Sequence, residues 1–107
     1  MAIFRFTVNR SFLVNRQHPI TVPRSQVPYR ALEAEGLSHD HIKVIFPQAE
    51  QFEGKLYYGE AGFGEYYQLQ LCGENRTLPC YIQRDDQLLV ALLKDDARSY
   101  AVLKYCG

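Results

Sequence analysis

The chain has 107 residues, of which 47% are hydrophobic and 13% aromatic, and its 12 basic residues balance its 12 acidic residues. This length and hydrophobic content predict a single domain, residues 1–107, and exclude a disordered chain. A net charge of zero argues against a nucleic-acid-binding protein. The charges are unevenly distributed, however, because residues 1–32 carry five arginines and no acid, whereas residues 33–107 carry seven bases and twelve acids. This asymmetry indicates that the N-terminal segment faces a polyanion.

The longest apolar runs, such as residues 88–93, have six residues, which is too short to cross a membrane. The N-terminus also lacks an apolar region of signal-peptide length. We therefore expect a cytoplasmic protein with no membrane partner. The three cysteines, Cys72, Cys80 and Cys106, lack a Cys-x-x-Cys spacing, so we expect buried, free thiols in a reducing compartment.

Alternation of polar and apolar residues predicts short β-strands along most of the chain. In chain order the predicted strands are residues 3–8, 12–14, 20–22, 42–46, 55–58, 66–71, 81–82, 87–93 and 99–105. One short helix is predicted within residues 25–37, with Pro28 in its first turn and Gly36 near its end. The run at residues 88–93 alternates least and predicts a central strand covered on both faces. So many strands in so short a chain predict a small barrel or sandwich.

No group of residues makes a convincing catalytic site, so we predict no enzymatic activity and no cofactor. His39 and His41 would face one side of an extended segment and, with a further ligand, would bind zinc. The alternative is a polar loop that leads into the strand at Ile42. The Glu-Gly-Lys sequence at residues 53–55 lacks the separate upstream acid that a metal-dependent nuclease needs.

Aromatic residues are concentrated in a predicted hairpin at residues 57–67, around a glycine-rich turn. Adjacent residues of a strand face opposite sides of the sheet. We therefore expect one ring of each pair, Tyr57 with Tyr58 and Tyr66 with Tyr67, to be buried. The other ring would anchor a protein or stack on bases, and ordinary cross-strand packing explains the cluster equally well.

The strongest functional signal is the polar segment that connects the first strand to the strand at Ile20. Its guanidinium, amide, hydroxyl and imidazole groups belong to Asn9, Arg10, Ser11, Asn15, Arg16, Gln17 and His18. Such groups contact phosphates and read purine edges in the major groove of DNA. The use of arginine instead of lysine favours bidentate contacts. The alternative is a solvated basic edge that discourages strand pairing.

The order of these elements resembles a known family. Residues 20–24, Ile-Thr-Val-Pro-Arg, are similar to a hydrophobic-x-Ile-Pro-Lys step, and residues 84–86, Arg-Asp-Asp, stand where a Gly-Asp turn precedes a hydrophobic strand. Both features resemble the B3-like DNA-binding pseudobarrel of plant transcription factors and EcoRII-type restriction endonucleases. The resemblance implies a mainly-β fold, a small seven-stranded pseudobarrel with one short helix. It also implies a non-catalytic module that grips the major groove of double-stranded DNA, with any restriction nuclease on a separate chain.

The family grips DNA with one arm between its first two strands and a second between its fourth and fifth strands. By position, the resemblance implies the following DNA-binding residues: Asn9, Arg10, Ser11, Asn15, Arg16, Gln17, His18, Arg24, Arg30, Tyr58, Glu60, Phe63, Glu65 and Tyr66. The second arm departs from this expectation, because Glu60 and Glu65 repel phosphates, although a carboxylate can accept a hydrogen bond from cytosine.

The alternative function is a small phage- or plasmid-encoded protein that inhibits a bacterial defence complex. Such an anti-defence protein would bind a protein partner through the aromatic hairpin at residues 57–67. The acidic segment from residue 33 onwards would then mimic nucleic acid towards a basic partner.

Overall fold

Seven strands form one mixed sheet that curls into a nearly closed barrel, as the computed structural model of residues 1–106 shows. The predicted mainly-β pseudobarrel is confirmed. The elements are β1 (Ala2–Thr7), α1 (Arg10–Val14), β2 (Ile20–Thr21), α2 (Tyr29–Ala34), β3 (Ile42–Ile45), β4 (Gln51–Ala61), β5 (Gly64–Cys72), β6 (Gln87–Asp95) and β7 (Arg98–Tyr105).

The strand order across the sheet is β1-β6-β7-β3-β4-β5-β2. All neighbouring strands are antiparallel except β3 and β7, which run parallel. Because β1 and β2 are the two edges of the curled sheet, the barrel is open between them, and we call this opening the seam. Alternation of the side chains fills the barrel interior: Phe4 and Phe6 of β1 are buried, whereas Arg5 and Thr7 are exposed.

The side chain of Gln26 partly closes the seam. Its Oε1 accepts a hydrogen bond from the backbone N–H of Arg5 at 2.7 Å, and its Nε2 donates to the carbonyl oxygen of Arg5 at 3.3 Å. The side-chain amide thus takes the place of a neighbouring strand along part of β1. This contact satisfies an edge that would otherwise be open to pairing with another chain.

We expect Gln26→Ala to lower the free energy of unfolding by about 1–2 kcal/mol, because both hydrogen bonds of the seam are lost. Urea denaturation followed by circular dichroism measures the change. Gln83→Ala is the matched control, since Gln83 is exposed and its side chain makes no hydrogen bond within residues 1–106. Equal stability of the two variants would show that Gln26 does not hold the seam.

The helices and two of the short strands differ from the sequence prediction. Residues 12–14, predicted as a strand, lie in α1, so the barrel has two short helices instead of one. An apolar run of three residues is too short for its periodicity to distinguish a helix from a strand. The second helix begins at Tyr29, and residues 81–82 form no strand, since Tyr81 lies in a turn and Ile82 has no regular structure. No helix within residues 1–106 has the length and apolar character needed to span a membrane.

The prediction that β6 is covered on both faces is wrong. Its residues Leu88, Val90 and Leu92 are fully buried in the barrel, but Leu89, on the outer face, is 39% exposed. The strand is also not central in the sheet, because it lies beside the edge strand β1, and neither helix covers its outer side.

Candidate nucleic-acid interface

The first arm, residues 9–18, is an ordered structure built on α1. Asn9 caps this helix, since its Oδ1 accepts a hydrogen bond from the backbone N–H of Phe12 at 2.9 Å. The Phe12 side chain is fully buried and packs edge-on against Phe6, with 5.2 Å between the ring centroids. The buried ring therefore holds the arm against the end of the barrel.

The second half of the arm is folded by its own hydrogen bonds. Asn15 Oδ1 accepts from the backbone N–H of Gln17 at 2.9 Å, and the Asn15 carbonyl accepts from the backbone N–H of His18 at 2.9 Å. His18 has a positive φ of 45° and lies 2.6 Å from the Phe12 carbonyl through Nδ1. Because a carbonyl oxygen only accepts, Nδ1 carries the proton.

The predicted contact residues of this arm therefore divide into two groups. Asn9, Asn15 and His18 use their side chains to shape the arm. In contrast, Arg10 and Arg16 are exposed and make no ion pair with any other residue between 1 and 106. Ser11 and Gln17 are exposed as well, so four of the seven side chains are available to a ligand.

A polar groove of about 360 Å³ follows the seam beside the first arm. The groove is lined by Arg5, Thr7, Asn9, Ser11, Thr21 and Gln68, among others. Of these, Arg5, Thr7, Thr21 and Gln68 were not predicted from the sequence. The polar positions of β1 and β2 were visible in the sequence, but nothing there showed that the two strands border a common groove.

The second arm, residues 58–66, is the end of the long β4–β5 hairpin. Its turn consists of Gly62 and Phe63, and Gly64 has a φ of 113°, which favours glycine. Phe63 is 78% exposed. Its ring lies 5.6 Å from that of Tyr66, which in turn lies 6.0 Å from Tyr57, so three rings form a ladder on the outer side of the hairpin.

A glycine makes room for this ladder. A Cβ atom at Gly59 would lie 2.6 Å from Cε1 of Tyr57 and 3.0 Å from Cζ of Tyr66.

The expectation of one buried ring in each tyrosine pair is confirmed for Tyr66 and Tyr67, of which Tyr67 is buried. It is wrong for β4, because Tyr57 and Tyr58 are 42% and 41% exposed.

The other side of the hairpin is acidic. Tyr67 donates a hydrogen bond from its hydroxyl to Glu33 Oε1 at 2.9 Å, and its ring packs 5.0 Å from Tyr58. Burial and the Glu33 carboxylate raise the pKa of Tyr67 to about 12, and a hydrogen bond with Glu65 raises that of Tyr58 to about 12. Glu60 and Glu65 stand directly opposite one another across the hairpin. Phosphates would be repelled from this side.

We expect part of the tyrosine absorbance to titrate near pH 12 in the folded protein. Burial and the Asp86 carboxylate also raise the pKa of Tyr105 to about 12, so three of the eight tyrosines share this behaviour. Since the folded-state pKa exceeds the ordinary value of 10, stability is lost as the pH rises from 10 through 12. Ultraviolet titration measures the ionisation of the tyrosines, and urea denaturation at several pH values measures the loss of stability; Tyr67→Phe removes one late-titrating group. A single titration of all eight tyrosines near pH 10 would contradict this expectation.

Arg24 lies between the two arms. Because β2 runs antiparallel to β5, the chain passes from the first arm along the seam to the base of the second. There the Arg24 guanidinium lies 4.5 Å from the centroid of the Tyr29 ring, and its Nη2 lies 3.7 Å from Glu65 Oε2. Arg24 thus offsets one carboxylate of the second arm, while Arg30 projects from α2 and is exposed.

The two histidines that were candidates for zinc line different depressions. His39 packs edge-on towards Tyr67, at 6.1 Å, and His41 lies beside Lys43, Arg98 and Ser99. Within residues 1–106 no group of three or more His, Cys, Asp or Glu side chains is arranged to hold a metal ion. All three cysteines are free thiols, but none is buried: Cys72 and Cys106 are half-buried and Cys80 is exposed.

A comparison of the chain with protein-family models finds no match, and no curated protein matches it. We therefore base the functional assignment on the geometry of the two arms and the seam.

Proposed function

We propose that this protein is a non-catalytic, sequence-specific module of the B3-like kind that binds double-stranded DNA. The observation that supports this proposal best is the polar groove along the seam, which has the first arm beside it and reaches Pro23, next to the Arg24 that contacts Glu65 of the second arm. The first arm presents Arg10 and Arg16, and the second presents exposed aromatic rings. A cytoplasmic location belongs to the same proposal.

The side chains along the groove and the first arm fall into two groups, one suited to contacts with the DNA backbone and one suited to contacts with base edges. Arg10 and Arg16 would bind phosphates or take a guanine edge in bidentate fashion. The floor of the groove offers uncharged donors and acceptors. Gln68 Nε2 donates to Thr21 Oγ1 at 3.2 Å, and Gln68 Oε1 accepts from Gln70 Nε2 at 2.7 Å, so this amide has a set orientation. A fixed amide suits the recognition of base edges.

The charge distribution predicts a strong dependence on salt. All five arginines of the N-terminal segment are exposed, and three of them, Arg5, Arg10 and Arg16, lie at the groove or on the first arm. The logarithm of the affinity falls with the logarithm of the salt concentration, with a slope of about 0.9 for each neutralised phosphate. The carboxylates of the second arm contribute no such contact, so that arm would meet bases instead of phosphates.

Selection from a randomised duplex library at low salt tests the proposal. We expect enrichment of a defined sequence, which the protein then binds more tightly than a scrambled duplex in fluorescence anisotropy. A single strand of the enriched sequence serves as the control for duplex recognition. Failure to bind any duplex at low salt would overturn the proposal.

The alternative is a protein-interaction module, and one observation favours it. The second arm combines the highly exposed Phe63 with the facing carboxylates of Glu60 and Glu65, which suits a basic protein surface. On this alternative the protein is encoded by a phage or plasmid and inhibits a bacterial defence complex. A nuclease-resistant complex with purified components of such a defence system, lost in Phe63→Ala but not in Arg10→Ala, would support it against DNA binding.

A further inference from the structure

The side chain of Gln70 is a buried polar group beside the groove of the seam. It lies on the outer side of β5, because its neighbours Leu69 and Leu71 point into the barrel. Even so it is only 5% exposed, and it is the only buried side-chain amide within residues 1–106. Burial of an amide costs free energy unless its polar atoms are hydrogen-bonded. Its Nε2 donates to Oε1 of Gln68 at 2.7 Å, so the buried amide orients Gln68.

The amide of Gln68 keeps one donor and one acceptor free. A side-chain amide has two N–H groups and two lone pairs on its oxygen. One N–H of Gln68 donates to Thr21 Oγ1 at 3.2 Å, and one lone pair accepts from Gln70. Because Gln68 is half-buried and lines the groove, its second N–H and its second lone pair are left for a ligand there. The two hydrogen bonds fix the plane in which this donor and this acceptor lie side by side.

This pattern of one donor beside one acceptor matches one base edge in the major groove of DNA. Adenine presents an acceptor at N7 next to a donor at N6, so an amide can bind both at once. Guanine presents acceptors at both N7 and O6, and its O6 would face the amide oxygen. Cytosine offers only a donor and thymine only an acceptor.

We propose that Gln68 selects an adenine of the DNA site, donating from Nε2 to N7 and accepting at Oε1 from N6. Gln70 is then a positioning residue, which acts on the DNA only through Gln68. These roles rest on the proposed function, to which they add the identity of one base.

The residues on either side of Gln68 suit an A·T base pair. The strand registers place Gln68 directly opposite Tyr57 of β4 and directly opposite Thr21 of β2. All three lie at outward-facing positions and form one row across three strands. The Tyr57 ring is 42% exposed beside the amide, so it offers an apolar contact to the methyl group of the thymine that pairs with the adenine.

The same row joins the groove to the second arm. Tyr57 begins the ladder of rings that continues through Tyr66 to Phe63, so the amide and the exposed rings lie on one side of the hairpin. In the next row Lys55 stands directly opposite Gln70 and makes no ion pair within residues 1–106. Its ammonium group is available to a phosphate near the recognised base pair. The acidic side of the hairpin faces the other way.

Selection from a randomised duplex library, carried out with the wild-type chain and with Gln68→Leu, tests the role of Gln68. We expect the wild-type chain to select adenine at one fixed position, where exchange of the A·T pair for G·C weakens binding by about 10- to 100-fold in fluorescence anisotropy. Gln68→Leu should select the remaining positions of the site but not this adenine. Gln83→Leu is the matched control, since Gln83 is exposed and does not line the groove, and it should keep the full preference.

Replacing one atom of the base tests the contact itself. With 7-deazaadenine at the fixed position, the N7 acceptor is lost, whereas the N6 donor and the pairing with thymine are kept. We expect binding of the wild-type chain to weaken by about fivefold. Gln68→Leu should show no such change, because it has no amide to lose the contact. An equal loss for both chains would mean that Gln68 does not contact N7.

Gln70→Leu tests the positioning role. We expect this variant to fold, as circular dichroism would show, because leucine has a similar size and water can satisfy the freed Oε1 of half-buried Gln68. The preference for A·T over G·C should fall by about fivefold, while the affinity for the G·C duplex stays the same. A merely structural role would weaken binding to both duplexes equally.

The outcomes separate base selection by Gln68 from DNA binding as such. A selected site that has no adenine dependent on Gln68 would overturn the inference while DNA binding stands. An unchanged base preference in Gln70→Leu would refute the positioning role. Absence of binding to any duplex at low salt would overturn both the inference and the proposed function.

Discussion

Replacing Arg10 and Arg16 together by alanine is expected to weaken binding to the selected duplex by about 100-fold, from a loss of about 1–3 kcal/mol for each contact. Both side chains are exposed and form no ion pair within residues 1–106, so their removal leaves the fold intact. If both arginines contact phosphates, the salt slope of the affinity falls by about 2. Fluorescence anisotropy at several salt concentrations measures both quantities.

The matched control is Lys94→Ala with Arg98→Ala. This pair also removes two positive charges, but from the β6–β7 hairpin. That hairpin lies near the beginning of β1, whereas the first arm follows the end of β1. We expect an affinity change of less than about threefold, because screening weakens charges that do not touch the DNA. Equal losses in the two double variants would mean that only net charge matters and that the first arm has no specific role.

The largest effect on stability is expected for Phe12→Ala. Its ring is fully buried and contacts Phe6, and the removal of such a side chain costs about 3–5 kcal/mol because a cavity remains. That loss is a large fraction of the 5–15 kcal/mol typical of a whole domain. Since Phe12 is the one fully buried residue of α1, the first arm also loses its attachment to the barrel. DNA affinity should therefore fall even at temperatures at which the variant is still folded.

Val14→Ala is the control on the same helix. Val14 is 68% exposed, so its truncation should change the free energy of unfolding by no more than about 0.5 kcal/mol. Urea denaturation of both variants and of the wild type provides the comparison. A Phe12→Ala variant as stable as Val14→Ala would show that α1 is not held by its buried ring.

The first arm shows which features of this protein can be predicted from local sequence patterns. The sequence placed a polar, arginine-bearing connection between the first strand and the strand at Ile20, and the structure has one there. The helix within it was missed, although Asn9 is a suitable cap, because the apolar run after it has only three residues. The structural roles of Asn15 and His18 were missed too, since their hydrogen bonds depend on how the arm folds.

The second arm shows what the alternation of side chains along a strand does not predict. Alternation predicted that the two tyrosines of each strand face opposite sides of the hairpin. The ladder of Tyr57, Tyr66 and Phe63 depends in addition on the register of β4 with β5 and on the turn, which the sequence did not predict. Alternation did not predict that the hairpin extends beyond the barrel core, which leaves both Tyr57 and Tyr58 exposed.

By itself, the sequence determined the mainly-β character of this protein, the positions of its main strands and the concentration of arginine in its N-terminal segment. These features are local, because side-chain periodicity and composition act within a few residues. The tertiary structure alone decided which strands border the seam and which face stays uncovered. Thr7 and Gln87, 80 positions apart, share a hydrogen bond, and β1 and β2 enclose one groove only because five other strands curl between them. Strand pairing over such distances is set by the packing of the whole barrel, and no local pattern encodes it.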